Sequence, residues 1–299
     1  MQIVRQAGAL VMQAPAKVNL FLEVLAKRPD GYHDIETLMV AVNLFDTLKF
    51  REEPDGDIRL TCKHPDLSTG SDNLVNRAAA LLKQQTGCEK GARIRLTKRI
   101  PLAAGLAGGS SDAAATLFGL NRLWKLGLTR ARLTDLAKDL GSDVAFFFSA
   151  PAAWCTGRGE RVTPLRLGKP LWFVLAVLPK GLSTARVYGG LQVPEDPQGG
   201  AGIRRAVQAG RVAEIGHRLH NRLQTVAQRL CPVIGTVSQR LAQLGPAGVL
   251  MSGSGPSVYA LCRNHGEAVR IARQSRHGLK GEASVLLVRS CSRRLNDER

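Results

Sequence analysis

The sequence predicts an α+β fold in two domains, and three observations carry that prediction. Strand-like and helix-like segments mix in both halves without strict βαβ alternation. A glycine-rich loop opens a long helix near residue 108. The texture changes after Gly157-Arg158-Gly159-Glu160, which divides the chain into 1–165 and 166–299. A length of 299 residues allows one large or two medium domains with ample core.

The elements follow in order. Segments 18–25 and 35–42 are apolar enough for strands, and Pro29-Asp30-Gly31 between them is a turn, because Pro presets φ and Gly accepts positive φ. Residues 44–50 and 57–62 read as a further strand pair. Asn73 caps an amphipathic helix through Leu74, Ala78, Leu81 and Leu82, and 92–98 is strand-like. A helix runs from the glycine-rich loop through Trp124; Thr129 caps the next, and Gly141 ends it. A buried strand is expected at 171–178 and a loop at 194–202. Helices fit 204–230 and 232–244, and strands 247–251 and 257–262 flank the loop Ser252 to Pro256. A helix at 266–277 and a strand at 284–289 complete the chain.

Composition narrows the class. Hydrophobic residues make up 44% and charged residues 22%, ordinary for a globular protein. No apolar run approaches the roughly 18 residues of a membrane span, and the N-terminus does not read as a signal peptide. Six separated cysteines without a Cys-x-x-Cys suggest reduced, mostly buried thiols in a cytoplasmic protein. The net charge of +18 is uneven: residues 201–299 hold 16 basic and 5 acidic side chains. A nucleic-acid-binding role is the reading such charge invites, yet no long basic run exists and aromatics are only 5%, poor for base stacking.

Segment 105–112 is the most informative stretch. Its glycines allow close backbone approach, and the following helix directs free N–H groups and positive dipole outward. This combination binds anions, most often phosphate. Ser110 and Ser111 offer hydroxyls, and Asp112 could cap the helix or occupy its first turn. The loop lacks the Lys of a P-loop and the acidic partner of a dinucleotide fingerprint, and the protein-kinase motifs are absent. By themselves Lys17 reads as a surface lysine, Asn19 as a strand-edge residue and Asp143 as a capping or turn aspartate. Lys17 and Asn19 do share one strand face.

The ordered set is more specific than its members. Pro15-Ala16-Lys17-Val18-Asn19-Leu20, then Pro101 to Ala114 with Gly105-Leu106-Ala107-Gly108-Gly109-Ser110-Ser111-Asp112, then Gly253-Ser254-Gly255-Pro256-Ser257, resembles the GHMP small-molecule kinases. Lys27 to His33, Asp72-Asn73-Leu74-Val75 and Gly141-Ser142-Asp143-Val144-Ala145 bring the likeness closest to the branch acting on a cytidine-diphosphate-linked methylerythritol in non-mevalonate isoprenoid biosynthesis. The resemblance implies two α+β domains with the active site in their cleft. It implies ATP as phosphoryl donor, Mg2+ carried with ATP, and transfer to the substrate 2-hydroxyl. Asp143 matches the family base and Lys17 the lysine beside it. Asn19, Tyr32, His33, Tyr188, Gly253 and Ser254 match the substrate side. Asn73, Lys98, Pro101, Ala104, Gly105, Leu106, Ala107, Gly108, Gly109, Ser110 and Ser111 match the ATP side. Another family activity, such as homoserine kinase, is the nearest alternative.

The sequence departs from the family pattern in two places. Ala107 stands where many members carry Gly, and its methyl narrows the approach to phosphate. In His220-Asn221-Arg222-Leu223-Gln224, Arg and Gln replace two family acids, so no function is assigned there. His217 and His220 fall three apart on an expected helix; with no acidic or thiol partner nearby, a solvated face fits better than a metal site.

Overall fold

The computed structural model describes residues 1–6 and 9–292. β1 (Gln2–Gln6) lies antiparallel to β2 (Ala9–Lys27), which turns at Pro29-Asp30-Gly31 into β3 (His33–Glu53). Then come β4 (Ile58–Cys62), α1 (Leu74–Thr86), β5 (Gly91–Thr97), α2 (Gly108–Leu123), α3 (Arg130–Leu140), α4 (Phe146–Ser149) and the hairpin β6 (Ala152–Thr156) and β7 (Arg161–Pro164). The second half holds β8 (Trp172–Val177), α5 (Thr184–Gly189), α6 (Ala201–Ala209), α7 (Val212–His217), β9 (His220–Asn221), α8 (Gln224–Leu230), α9 (Val233–Gln243), β10 (Gly248–Met251), β11 (Val258–Cys262), α10 (His265–Gly278) and β12 (Ser284–Arg289).

Two sheets organise these elements. The first runs β1-β2-β3-β5-β4, with the β6–β7 hairpin on β3 and β9 parallel to β2. The second is antiparallel in the order β10-β11-β8-β12. Expected segments 35–42 and 44–50 are one strand, because the register shift between Pro15 and Ala16 absorbs Asn43 and Leu44 without ending β3. Residues 44–50 and 57–62 do not pair, since β5 lies between them. The helix expected over 204–230 is three short helices and a strand: Gly210 takes φ +68 and closes α6, and β9 then joins β2. His217 ends α7 while His220 lies in β9, so the two do not share a helix. The β6–β7 hairpin and β1 have no counterpart among the expected elements.

Burial follows the alternation of the strands. One core packs α1, α2 and α3 on the sheet through residues such as Phe50, Ile94, Leu117 and Leu133. A second fills the space between sheets with Phe21, Leu38, Phe173 and Tyr259. A third lies under α8, α9 and α10 with Val174, Ile234 and Ile271. The six cysteines are free thiols, Cys155 and Cys262 buried and the other four half-buried, fewer buried than the sequence suggests. No helix among the described residues is long and apolar enough to cross a membrane.

A buried carboxylate joins the halves. Glu23 on β2 is fully buried and accepts Arg222 Nε and Nη2 at 2.7 Å each, His220 Nε2 at 3.0 Å, and the backbone N–H of Gln198 at 2.9 Å and of Val24 at 2.8 Å. Burial alone would raise its pKa, but the Arg222 bonds and the two backbone donors outweigh burial and hold it below the usual range. Removing one partner of a buried pair strands the other charge. Arg222→Ala is therefore expected to cost about 3 kcal/mol of stability, read by urea unfolding; a loss below about 1 kcal/mol would show that the clamp contributes little.

Candidate active site

The site is built where β2, the glycine-rich loop and the Ser252–Ser257 loop meet. Alternation on β2 turns Lys17 and Asn19 to one face. Lys17 Nζ donates to Asn19 Oδ1 at 2.6 Å and to the Gly105 carbonyl at 3.1 Å, and lies 3.5 Å from Asp143 Oδ2. Asp143 follows the end of α3 and is a third exposed, while Lys17 is buried. The Asn19 amide is oriented by Thr37. Thr37 Oγ1 gives its proton to the Phe21 carbonyl at 2.6 Å and accepts from Asn19 Nδ2 at 2.8 Å. Asn19 must then present its oxygen to Lys17, because a hydroxyl has one proton to donate.

The two small-residue loops are docked on each other. Ser252 Oγ donates to the Gly105 carbonyl at 2.9 Å. Gly105 has φ +74, and a Cβ there would fall 2.1 Å from the Ser252 carbonyl, so only glycine fits. Gly253 has φ +55, and its missing Cβ leaves room beside Lys17 Nζ. Asn221 Nδ2 donates to the carbonyls of Met251 and Gly253 at 2.8 Å each, and Gln224 Oε1 accepts from the Met251 N–H at 2.9 Å. The segment 220–224, left without a role by the sequence, is the support of this loop.

α2 begins at Gly108 with no side-chain cap. Its first N–H groups therefore point outward beside the cavity, as anion binding requires. The residue before them, Ala107, holds φ +54, which costs an alanine about 1 kcal/mol that glycine would not pay. Asp112 neither caps the helix nor sits in its first turn. It is buried, and its Oδ2 accepts from Lys98 Nζ at 2.8 Å. Lys98 also pairs with Asp46, itself held by the N–H groups of Arg99 at 2.6 Å and Ile100 at 2.9 Å. Burial pushes Asp112 up to about 8; Lys98 opposes the rise and Asp46 adds to it. Burial disfavours the Lys98 ammonium too, but the two carboxylates outweigh it and raise its pKa. Lys98 reaches the cavity wall with its charge held between two carboxylates, whereas Lys17 on the same wall pairs with Asp143 alone among the described residues, and Arg158 also lines the cavity.

A cavity of about 960 Å³ gathers most of the expected residues. Lys17, Asn19, Tyr32, His33, Asp143, Tyr188, Gly253 and Ser254 line it, as do Lys98, Pro101, Ala104, Gly105, Ala107, Gly108, Gly109 and Ser110. Three expected residues are outside the lining. Asn73 caps α1 through the Val75 N–H at 2.9 Å, Leu106 packs in the core, and Ser111 is buried in α2. The rings of His33 and Tyr188 lie 5.1 Å apart. Burial, then the Lys27 charge, lowers the His33 pKa, so its ring is neutral near pH 7. Burial, then Asp143, raises the Tyr188 phenol, which keeps its proton. Sequence reasoning gave no role to Thr37, Ser142, Arg158 and Thr184, all on the cavity wall. Thr37 left a signal only as a polar residue that alternation places on the buried face of its strand, beside Glu36 on the other; Thr184, bonded to Ser254 Oγ at 2.9 Å, left none.

No group of three or more His, Cys, Asp or Glu among the described residues could hold a metal. The cavity lining includes the Ser110 hydroxyl of the loop and the Asp143 carboxylate. That set suits a magnesium ion whose other ligands are phosphates and water.

Both the sequence and the fold have known relatives. The sequence matches the GHMP kinases N terminal domain over residues 73–150 and the GHMP kinases C terminal domain over residues 203–279. The 4-diphosphocytidyl-2-C-methyl-D-erythritol kinase of Exiguobacterium sibiricum is 44% identical over 281 residues, covering 93% of this chain and 96% of that protein. The same enzyme of Pelotomaculum thermopropionicum is 42% identical, covering 94% of this chain and 98% of that one. A crystal structure of 4-(cytidine 5'-diphospho)-2C-methyl-D-erythritol kinase superposes with TM-score 0.78 at 36% identity, over 94% of this chain and all of the other. A homoserine kinase from Cytophaga hutchinsonii reaches 0.79 at 19% identity, over 98% and 97%, a likeness of fold.

The buried trio has a pH signature. Folded Asp112 keeps its proton to about 8, while an ordinary aspartate releases it near 3.8. The native state binds the extra proton in that window, so wild-type stability falls as pH rises through it. Asp112→Asn lacks this loss. The wild-type Tm minus the variant Tm is expected to fall from about pH 5 to about pH 8 in calorimetry; parallel curves would contradict the assignment.

Proposed function

The chain belongs to the GHMP kinase family, among its 4-diphosphocytidyl-2-C-methyl-D-erythritol kinases, and on that premise we propose which residues carry the reaction. Its activity is ATP-dependent phosphorylation of the 2-hydroxyl of 4-diphosphocytidyl-2-C-methyl-D-erythritol, giving the 2-phosphate and ADP, a step of isoprenoid biosynthesis. The observation that carries the residue assignment is the Lys17–Asp143 pair, 3.5 Å apart on the wall of a cavity that also holds the loop before α2 and the Tyr32, His33 and Tyr188 rings.

Asp143 is the general base. Its carboxylate accepts the proton of the substrate 2-hydroxyl as that oxygen bonds to the γ-phosphorus and the bond to the β–γ bridging oxygen breaks. Lys17 stabilises charge on the attacking oxygen and the transferring group, and it arrives preorganised by Asn19 and the Gly105 carbonyl. The uncapped N–H groups of Gly108, Gly109 and Ser110 hold the phosphates of ATP. Magnesium carried with ATP would offset phosphate charge, and Ser110, the loop hydroxyl that lines the cavity, would be a residue to hold it. Of the expected nucleotide residues, Asn73, Leu106 and Ser111 lie outside the cavity lining and are assigned to supporting its wall.

At the other end Tyr32, half exposed at the mouth, offers its ring to the cytosine, and neutral His33 can donate and accept on the base edge. Asn19, Tyr188, Gly253 and Ser254 complete the substrate side. A domain division near residue 165 is supported by the change of sheet between β7 and β8.

Two kinetic outcomes follow. Asp143→Asn is expected to lower kcat by about 10²- to 10⁴-fold with nucleotide affinity nearly unchanged; near-normal turnover removes Asp143 from the base role. Tyr32→Ala is expected to raise KM for the cytidyl substrate about tenfold and leave KM for ATP alone. Turnover of homoserine by the wild-type protein, without activity on the cytidyl substrate, would overturn the functional reading itself.

A further inference from the structure

Arg158 is a cation on the cavity wall that the mechanism above does not use. It occupies the turn of the β6–β7 hairpin between two glycines, both at positive φ. Its guanidinium carbon lies 4.7 Å from the centroid of the Tyr32 ring. That distance is within cation–π range.

The hairpin tip is fixed to the segment that carries Tyr32. The Ile35 N–H donates to the Gly157 carbonyl at 2.7 Å, which ties the turn to the start of β3. The Arg158 N–H donates to Glu160 Oε2 at 2.7 Å, and the Gly159 N–H to the Thr156 carbonyl at 3.1 Å. The backbone of Tyr32 is held within its own turn, its N–H donating to Asp30 Oδ1 at 3.1 Å and its carbonyl accepting from the Arg28 N–H at 2.8 Å. The residue is nevertheless 52% exposed, and the guanidinium of Arg158 lies against its ring.

We infer that Arg158 is a specificity-determining positioning residue. Its guanidinium covers one face of Tyr32, holds the ring plane, and leaves the opposite face for the pyrimidine of the substrate. This rests on the reading of Tyr32 as the stacking ring. Preorganising that ring lowers the cost of ordering it when substrate binds. The effect falls on substrate affinity and not on phosphoryl transfer, because Arg158 acts through Tyr32 and not at Asp143.

Steady-state kinetics with ATP and the cytidyl substrate test this on the wild type, Arg158→Gln, Arg158→Lys, Tyr32→Leu and the double variant Tyr32→Leu/Arg158→Gln. Arg158→Gln is expected to raise KM for the cytidyl substrate about 3- to 10-fold, with kcat and KM for ATP unchanged, and Arg158→Lys to fall between it and wild type. In the Tyr32→Leu background the same change is expected to add less than about twofold, because the ring it acts through is gone. An unchanged KM in Arg158→Gln, an equal rise in the Tyr32→Leu background, or a parallel drop in kcat would each overturn the inference. A wild type inactive on the cytidyl substrate would overturn the functional reading beneath it, whereas an active wild type with a flat KM in Arg158→Gln overturns this inference alone.

Discussion

The position of one buried ammonium, that of Lys17, is the constraint on which the rest of the site depends. Taking such a group out of water costs several kcal/mol unless its donors are matched. Three acceptors match them here: Asn19 Oδ1, the Gly105 carbonyl and Asp143. Each comes from a different part of the chain. Asn19 sits on the same strand, Gly105 belongs to the loop before α2, and Asp143 follows α3. Satisfying one cation therefore registers the glycine-rich loop against the carboxylate proposed as the base. The Asn19–Thr37 bond fixes the amide orientation that makes this possible.

The same economy recurs twice away from the reacting atoms. Glu23 draws five donors from β2, from β9 and Arg222 just after it, and from the loop before α6, and so fastens the second half of the chain to the long strand that carries Lys17. Asp46, Lys98 and Asp112 tie β3, the segment after β5 and α2 together behind the glycine-rich loop. In that trio two carboxylates face one ammonium, and the excess negative charge is relieved by the proton that burial keeps on Asp112. Buried charge here specifies geometry. The apolar cores supply the bulk of the stability.

Much of this was legible in the residues. The α+β class, the Asn73 and Thr129 caps and the strands at 171–178 and 284–289 followed from pattern and capping chemistry. The residues proposed for catalysis and for the cytidyl side emerged from ordered motifs, and the fold brings them to one cavity. What escaped was tertiary. Pattern alone could not show that β5 separates β3 from β4, or that a two-residue strand breaks the helix expected over 204–230. Nor could it reveal that Arg222, a departure from the family pattern, finds its partner 199 positions away in Glu23. Of the basic surplus of residues 201–299, Arg222 is balanced by an acid outside that segment, Glu23. Nothing in the structure assigns the remainder a task.

A crystal structure of the protein with an unreactive ATP analogue and the cytidyl substrate tests the central claim most directly. The account predicts the 2-hydroxyl oxygen within hydrogen-bond distance of both Asp143 and Lys17, with the γ-phosphate in line above the N-terminus of α2. A ternary complex in which that hydroxyl is held by other side chains, with the Lys17–Asp143 pair left facing solvent, would contradict it.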